Sequence, residues 1–282
     1  MRERNELILA DLVAARAEQA PDFDVVTFDG GGVRPHEVRT YADLWSNGNR
    51  IAAGLIAKGL AKGDRFGLMM RNHPEFIETM VAASVSGGVF VPIDPRTRGE
   101  KLAYTLRNSE CRGIVCADYA LAQVAVVRRD VPNLEWILVL ESREEPDSMT
   151  AADVPGAEPF APLLDTPEQY VAVRVDTPGD PFEIIYTSGT TGDPKGVVYT
   201  NGRYQREHDG ISGRFPARRP AVQWAVPDPR ERPAHHTGPV AGHEAAGSVQ
   251  PAVHQVASLG RSSRARLHRL QPARRHGHGD LQ

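Results

Sequence analysis

The sequence predicts an α/β fold. Two observations carry that reading, and a third bounds it. Segments with apolar residues at helical spacing alternate with short apolar runs, which argues for a parallel or mixed sheet covered by helices. Proline and glycine punctuate the segments where helices should start and stop. The pattern holds to about residue 212 and fails after Gly213.

The elements follow in order. "ELILADLVAARAEQA" has helical apolar spacing, and "DVVTF" is a short strand. "TYADLWSNGNRIAAGLIAKGL" reads as a helix with Thr40 as its N-cap. "RFGLMM" is a strand. Pro74 opens the helix "PEFIETMVAASVSGG", with proline in the first turn and glycine past the end. "VFVPI" is a strand, "RGEKLAYTLRNS" a helix, "GIVCA" a strand, "YALAQVAVVRR" a helix and "WILVL" a strand. Residues 142–181, rich in Pro, Asp and Glu, read as a surface connection. "FEIIYT" is a strand that runs into a glycine-rich loop.

The composition excludes several classes. At 282 residues the chain holds one large domain or two small ones. No apolar run reaches the length of a transmembrane helix. The start lacks the apolar core and cleavage site of a secretory signal. Cys111 and Cys116 make no disulfide framework and read as ordinary thiols of a reducing cytoplasm. The expectation is a cytoplasmic protein with no integral membrane association.

The segment "EIIYTSGTTGDPKGVVYT" carries the chemistry. Glycines let a backbone turn sharply and approach an anion. Successive N–H groups form an anion-binding nest, hydroxyls add donors, and a lysine adds a point charge for phosphate. The segment is not a Walker loop, because Pro194 and Gly196 flank Lys195 where that pattern needs Gly and Ser or Thr. It is not G-x-G-x-x-G either. A plain hairpin turn accounts for many glycine-rich loops, but the match here is longer than a turn.

"YTSGTTGDPKGV", residues 186–197, resembles the phosphate-binding signature of the adenylate-forming enzymes: acyl-CoA synthetases, adenylation domains of peptide synthetases, and luciferases. The region from "TYADLW" to "VPIDPR" is similar to the family's N-terminal part, and the likeness covers about residues 8–212. The acyl-CoA synthetases of the fatty-acid and crotonobetaine/carnitine type look nearest. The resemblance implies the N-terminal part of the large domain of the adenylate-forming synthetase fold. It also implies a two-step ligase. A carboxylic acid attacks the α-phosphate of Mg-ATP, giving an acyl-adenylate and pyrophosphate, and the thiol of coenzyme A then displaces AMP. By matching positions, Thr187, Ser188, Gly189, Thr190, Thr191, Gly192 and Lys195 would bind phosphate. Lys195 is the candidate catalytic residue, and Thr190 or Thr191 a candidate Mg²⁺ ligand. The family's aromatic-Gly-x-Thr-Glu motif, its ribose-binding Asp and its C-terminal lysine have no counterpart here. The chain as given is therefore expected to show little or no ligase activity; the alternative is a remnant that binds ATP or pyrophosphate weakly.

Residues 213–282 differ in kind. From 214 onward there are eleven Arg, four acids and seven of the ten His, with no Lys, Tyr or Ile. The expectation is a domain over 1–212 and an irregular or disordered Arg/Pro/His-rich tail over 213–282, translated out of frame from near residues 214–216. Shifted by one base, the codons of "VQWAVPDPRERPAHH" permit "SSGLSLTHANAQHI", similar to the family's next motif. An Arg-tailed nucleic-acid-binding protein is the competing reading. It lacks arginines interleaved with stacking aromatics, and the His pairs lack metal-ligand spacing. No nucleic-acid partner is expected.

Six other positions read as structural. His73 is a surface residue at a helix start, Asp94 and Arg96 are an ion pair or turn cap, Trp45 belongs to the core, and Glu144 and Glu145 lie in a solvated connection.

Overall fold

The computed structural model describes residues 2–30, 35–187, 193–212 and 223–225, with side chains described as far as Glu207. The expected α/β class is observed. Helix α1 (Leu9–Gln19) precedes strands β1 (Asp24–Asp29) and β2 (Glu37–Thr40). Then come α2 (Tyr41–Ala57), β3 (Arg65–Met69), α3 (Pro74–Ser86), β4 (Val89–Pro92), α4 (Gly99–Asn108), β5 (Cys111–Ala117), α5 (Asp118–Val127) and β6 (Trp136–Leu140). They are followed by β7 (Ala157–Pro159), α6 (Ala161–Asp165), β8 (Pro181–Thr187), β9 (Lys195–Thr200), α7 (Asn201–Ser212) and β10 (Gln223–Ala225).

Seven strands form one sheet in the order β7-β6-β5-β3-β4-β8-β9. Every pair is parallel except β8 with β9, which are antiparallel. A second sheet, β10-β1-β2, pairs β1 antiparallel with β2 and parallel with β10. The strand β10 lies beyond Gly213, where the sequence pattern gave no element. The remaining expectations for 213–222 and 226–282 fall outside the described residues.

Local chemistry explains the helix starts. Thr40 caps α2 through a reciprocal box: the Asp43 N–H donates to Thr40 Oγ1 at 3.1 Å, and the Thr40 N–H donates to Asp43 Oδ2 at 2.8 Å. Pro74 occupies the first turn of α3, and Gly87 ends that helix at φ +72°.

Strands β3, β5 and β6 are apolar and nearly all buried because both faces of the parallel sheet are covered. Phe66, Leu68, Phe90, Val115 and Leu138 pack on one face with α1, α2 and α3. Met69, Val91, Ile114, Cys116 and Ile137 pack on the other with α4 and α5. Every residue of α3 is buried, and Ser84 Oγ accepts the Ala10 N–H at 3.0 Å, tying α1 to it. Both cysteines are free and buried, and burial pushes each thiol up to about 12.

Residues 142–181 are more than a surface connection. They supply β7 and α6, and they carry the chain from β7 at one edge to β8 on the other side of β4. That path crosses the helical layer, so Phe160 and Val175 are buried in it. The Val171 N–H donates to Asn49 Oδ1 at 3.0 Å, and the Arg174 N–H to the Val85 carbonyl at 2.8 Å.

Trp45 is partly buried against the core. Asp94 and Arg96 form the expected ion pair at 2.7 Å, and Asp94 Oδ1 also accepts the Arg96 N–H at 2.9 Å.

Candidate functional site

The glycine-rich loop joins β8 to β9, which makes it the tip of an antiparallel hairpin set against β4. Strand β8 runs parallel to its neighbour, so the loop leaves the carboxyl end of the sheet. That is where open α/β sheets bind ligands.

Two of the predicted residues are described. Thr187 and Lys195 are Cα partners in the last pair of the hairpin, and both are exposed. The fold therefore brings a hydroxyl and an ammonium to the two ends of the loop, a donor pair suited to an anion. The predicted Ser188, Gly189, Thr190, Thr191 and Gly192 lie outside the described residues, and with them the candidate Mg²⁺ ligand. Among the described residues no group of three or more His, Cys, Asp or Glu is placed to hold a metal.

The hairpin is anchored in three ways. Tyr186 Oη donates to Asn108 Oδ1 at 2.6 Å, fixing the strand end to the last residue of α4. Gly196 stands opposite Tyr186, and the ring fills the space a side chain would take: a Cβ there would lie 3.2 Å from Tyr186 Cζ and 2.9 Å from Ile184 Cγ2. The glycine after Lys195 is thus required by packing. Inside, Phe182 joins a run of edge-to-face rings, 5.1 Å from Phe90 and 5.0 Å from Tyr204, and Phe90 meets Phe76 at 6.5 Å.

A second polar cluster lies at the carboxyl ends of β3 and β5. His73 is buried, contrary to the sequence expectation, with Nε2 2.9 Å from Tyr119 Oη and 3.6 Å from Glu144. Tyr119 Oη accepts the Arg71 N–H at 2.6 Å, and the Arg71 guanidinium stands 4.2 Å over the Tyr119 ring. Burial pushes the Tyr119 phenol upward. Arg71 also bridges Glu144 at 3.0 Å and Glu145 at 2.5 Å. The Glu144 side chain is nearly covered, so of the two glutamates only Glu145 is solvated as expected. His73 is drawn inward because Tyr119 and Phe28 offer a polar and an aromatic contact at the mouth of the sheet. The sequence signal was Tyr119, two residues past the strand "GIVCA", at the end of β5 beside β3.

Comparison with known proteins places this geometry. The chain matches the model of a family described as AMP-binding enzyme over residues 13–227. It is 30% identical over 187 residues to a medium/long-chain-fatty-acid–CoA/3-oxocholest-4-en-26-oate–CoA ligase of Mycobacterium marinum, covering 66% of this chain and 32% of that protein. It is 26% identical over 198 residues to the mitochondrial medium-chain acyl-CoA ligase ACSF2 of Danio rerio, covering 63% of this chain and 31% of that one. Among solved structures, the acetoacetyl-CoA synthetase of Streptomyces lividans shares the fold with a TM-score of 0.63 at 22% identity, over 71% of this chain and 31% of that one. The chain spans about a third of the length of the curated relatives it matches. The family match contains the whole β8–β9 hairpin and the parallel sheet behind it, and by it the chain belongs to the AMP-binding, adenylate-forming enzymes.

Proposed function

We propose that the β8–β9 loop is the phosphate grip of an ATP-dependent acyl-CoA ligase, with a carboxylic acid, ATP and coenzyme A as substrates. The observation that carries this is the pairing of Thr187 with Lys195 at the carboxyl edge of the sheet, in a chain whose family model spans the hairpin. The names of its relatives support the acyl-CoA branch. Thr187, Ser188, Gly189, Thr190, Thr191, Gly192 and Lys195 hold the β- and γ-phosphates by backbone N–H, hydroxyl and ammonium donors. Lys195 offsets the charge that moves onto pyrophosphate as the acyl-adenylate forms, an electrostatic role. A Thr190 or Thr191 hydroxyl reaches the Mg²⁺ carried by ATP, since that ion takes few protein ligands besides the nucleotide phosphates. No helix among the described residues is long and apolar enough to cross a membrane. With two free buried thiols, this agrees with a cytoplasmic enzyme.

The test is calorimetric titration of Mg-ATP and of pyrophosphate into the 282-residue chain and its Lys195→Ala variant. Binding is read rather than turnover because the chain spans about a third of its relatives. Loss of a charge-assisted contact weakens binding roughly ten- to hundredfold. A folded chain that binds neither ligand overturns the proposal. Binding accompanied by acid-dependent release of pyrophosphate extends it to adenylation.

A further inference from the structure

Glu183 lies in β8, four residues before the loop, and it is fully buried. Neither carboxyl oxygen has a hydrogen-bond partner among the described residues. Its place in the ladder is singular. The register between β4 and β8 consists of one pair, Phe90 with Glu183, and the hairpin pairing has an irregularity between Pro181 and Glu183 before Glu183 meets Tyr199. Glu183 therefore stands at the joint where the loop-bearing hairpin meets the parallel sheet.

We propose that Glu183 is a protonation latch: as the neutral acid it lets β8 seat against β4, and as the carboxylate it drives the hairpin off the sheet. A buried carboxylate needs a cation or several donors, and among the described residues neither Glu183 oxygen is bonded to one. From β4 the register partner is Phe90, which does not ionise. From β9 it is the Tyr199 phenol, and from α7 it is the buried Tyr204 phenol, each raised chiefly by its own burial and further by a charge on Glu183. The next residue of α7, Gln205, is also buried, with its Nε2 unpartnered. Burial pushes the Glu183 carboxyl up to about 8. In an opened hairpin the same group ionises near 4.5. Between those values the open form has lost a proton that the closed form keeps, so opening becomes more favourable by about tenfold per pH unit. Above about 8 both forms are ionised and the effect levels off.

The latch concerns the hairpin itself and holds whatever the loop binds. The test is hydrogen exchange of the β8 and β9 amides in the full chain between about pH 5 and 9.5, corrected for the intrinsic exchange rate, with β5 amides as the internal reference. Wild type is expected to show an opening constant that rises about tenfold per pH unit up to about 8 and then flattens. Glu183→Gln and Glu183→Leu, both neutral, are expected to be flat. A wild-type profile that is flat, or one whose slope either folded variant reproduces, overturns the proposal. Where neither variant folds, infrared titration of the wild type decides. A protonated-carboxyl stretch that disappears with its midpoint at the pH where the rise in hairpin exchange levels off supports the latch; a stretch already absent at pH 7 overturns it.

Discussion

The indole of Trp136 lies on the backbone of Gly113, its Cα partner across β5 and β6. A Cβ at residue 113 would fall 2.0 Å from Trp136 Cε2 and 2.1 Å from Cδ2. Strand β5 continues on both sides of this point, so Gly113 is set by packing, and neither a turn nor an unusual backbone angle requires it. Phe66, the partner of Gly113 in β3, packs with the indole at a centroid distance of 6.2 Å. Gly113→Ala is expected to destabilise the chain by roughly 2–4 kcal/mol, at the upper end of overpacking effects. In a Trp136→Ala background the same change should cost under about 1 kcal/mol, because the obstacle is gone. Urea unfolding of the four variants gives both numbers, and equal costs in the two backgrounds would refute the account.

Gly196 and Tyr186 make a gentler version of the same contact beside the loop. Gly196→Ala requires Ile184 and the Tyr186 ring to yield by a few tenths of an ångström. The expected loss is about 1–2 kcal/mol, and the Tyr186 to Asn108 hydrogen bond should weaken with it. Adding Asn108→Ala to Gly196→Ala should then cost less than Asn108→Ala alone, as read from unfolding midpoints.

The acid limb of stability should report Asp180. Burial acts to raise this carboxyl, but the Lys62 ammonium at 2.7 Å, the Asp176 N–H at 2.9 Å and the Thr177 hydroxyl at 2.9 Å outweigh it, and the group falls to about 2. A depressed carboxyl stabilises the native state above its unfolded value, near 3.8, and that contribution is lost as pH falls toward about 2. Lys62 is shifted the other way by Asp176 and Asp180, so its contribution is complete below 10.5 and is lost as pH rises beyond that value. Asp180→Asn is expected to lower stability at pH 6 to 8, to flatten the profile between pH 4 and 2, and so to approach the wild type at the acid end. A profile as steep as the wild type's below pH 4 would place the acid sensitivity elsewhere.

Much of this was legible because it is written locally. The Thr40–Asp43 box, Pro74 and the apolar strands mark themselves within a few residues. The loop announced itself by a motif of twelve consecutive positions. What the sequence hid depends on neighbours distant along the chain. Strand β2, "EVRT", is short and charged, and it forms because β1 lies alongside. Strand β7 contains proline and sits at a sheet edge, where a missing N–H is tolerated. The segment around Phe160 and Val175 reads as polar, yet it must cross a helical layer. His73 and Glu183 look ordinary in sequence, and nothing near them reveals that one faces Tyr119 across the sheet mouth and the other is closed in between β4 and β9.

The pairing of Phe90 with Glu183 joins residues some ninety positions apart, while β3, β4, β5 and β6 are all in place earlier along the chain. Loop-closure entropy makes so remote a contact a late one. As the chain leaves the ribosome, five strands of the sheet, β3 to β7, precede β8 before it emerges to seek its edge. The hairpin proposed to grip phosphate is then a late addition to that support. Sequence changes in the loop can be sampled with little penalty to the steps that build the rest, whereas changes in α3 or β5 are met at the outset of folding.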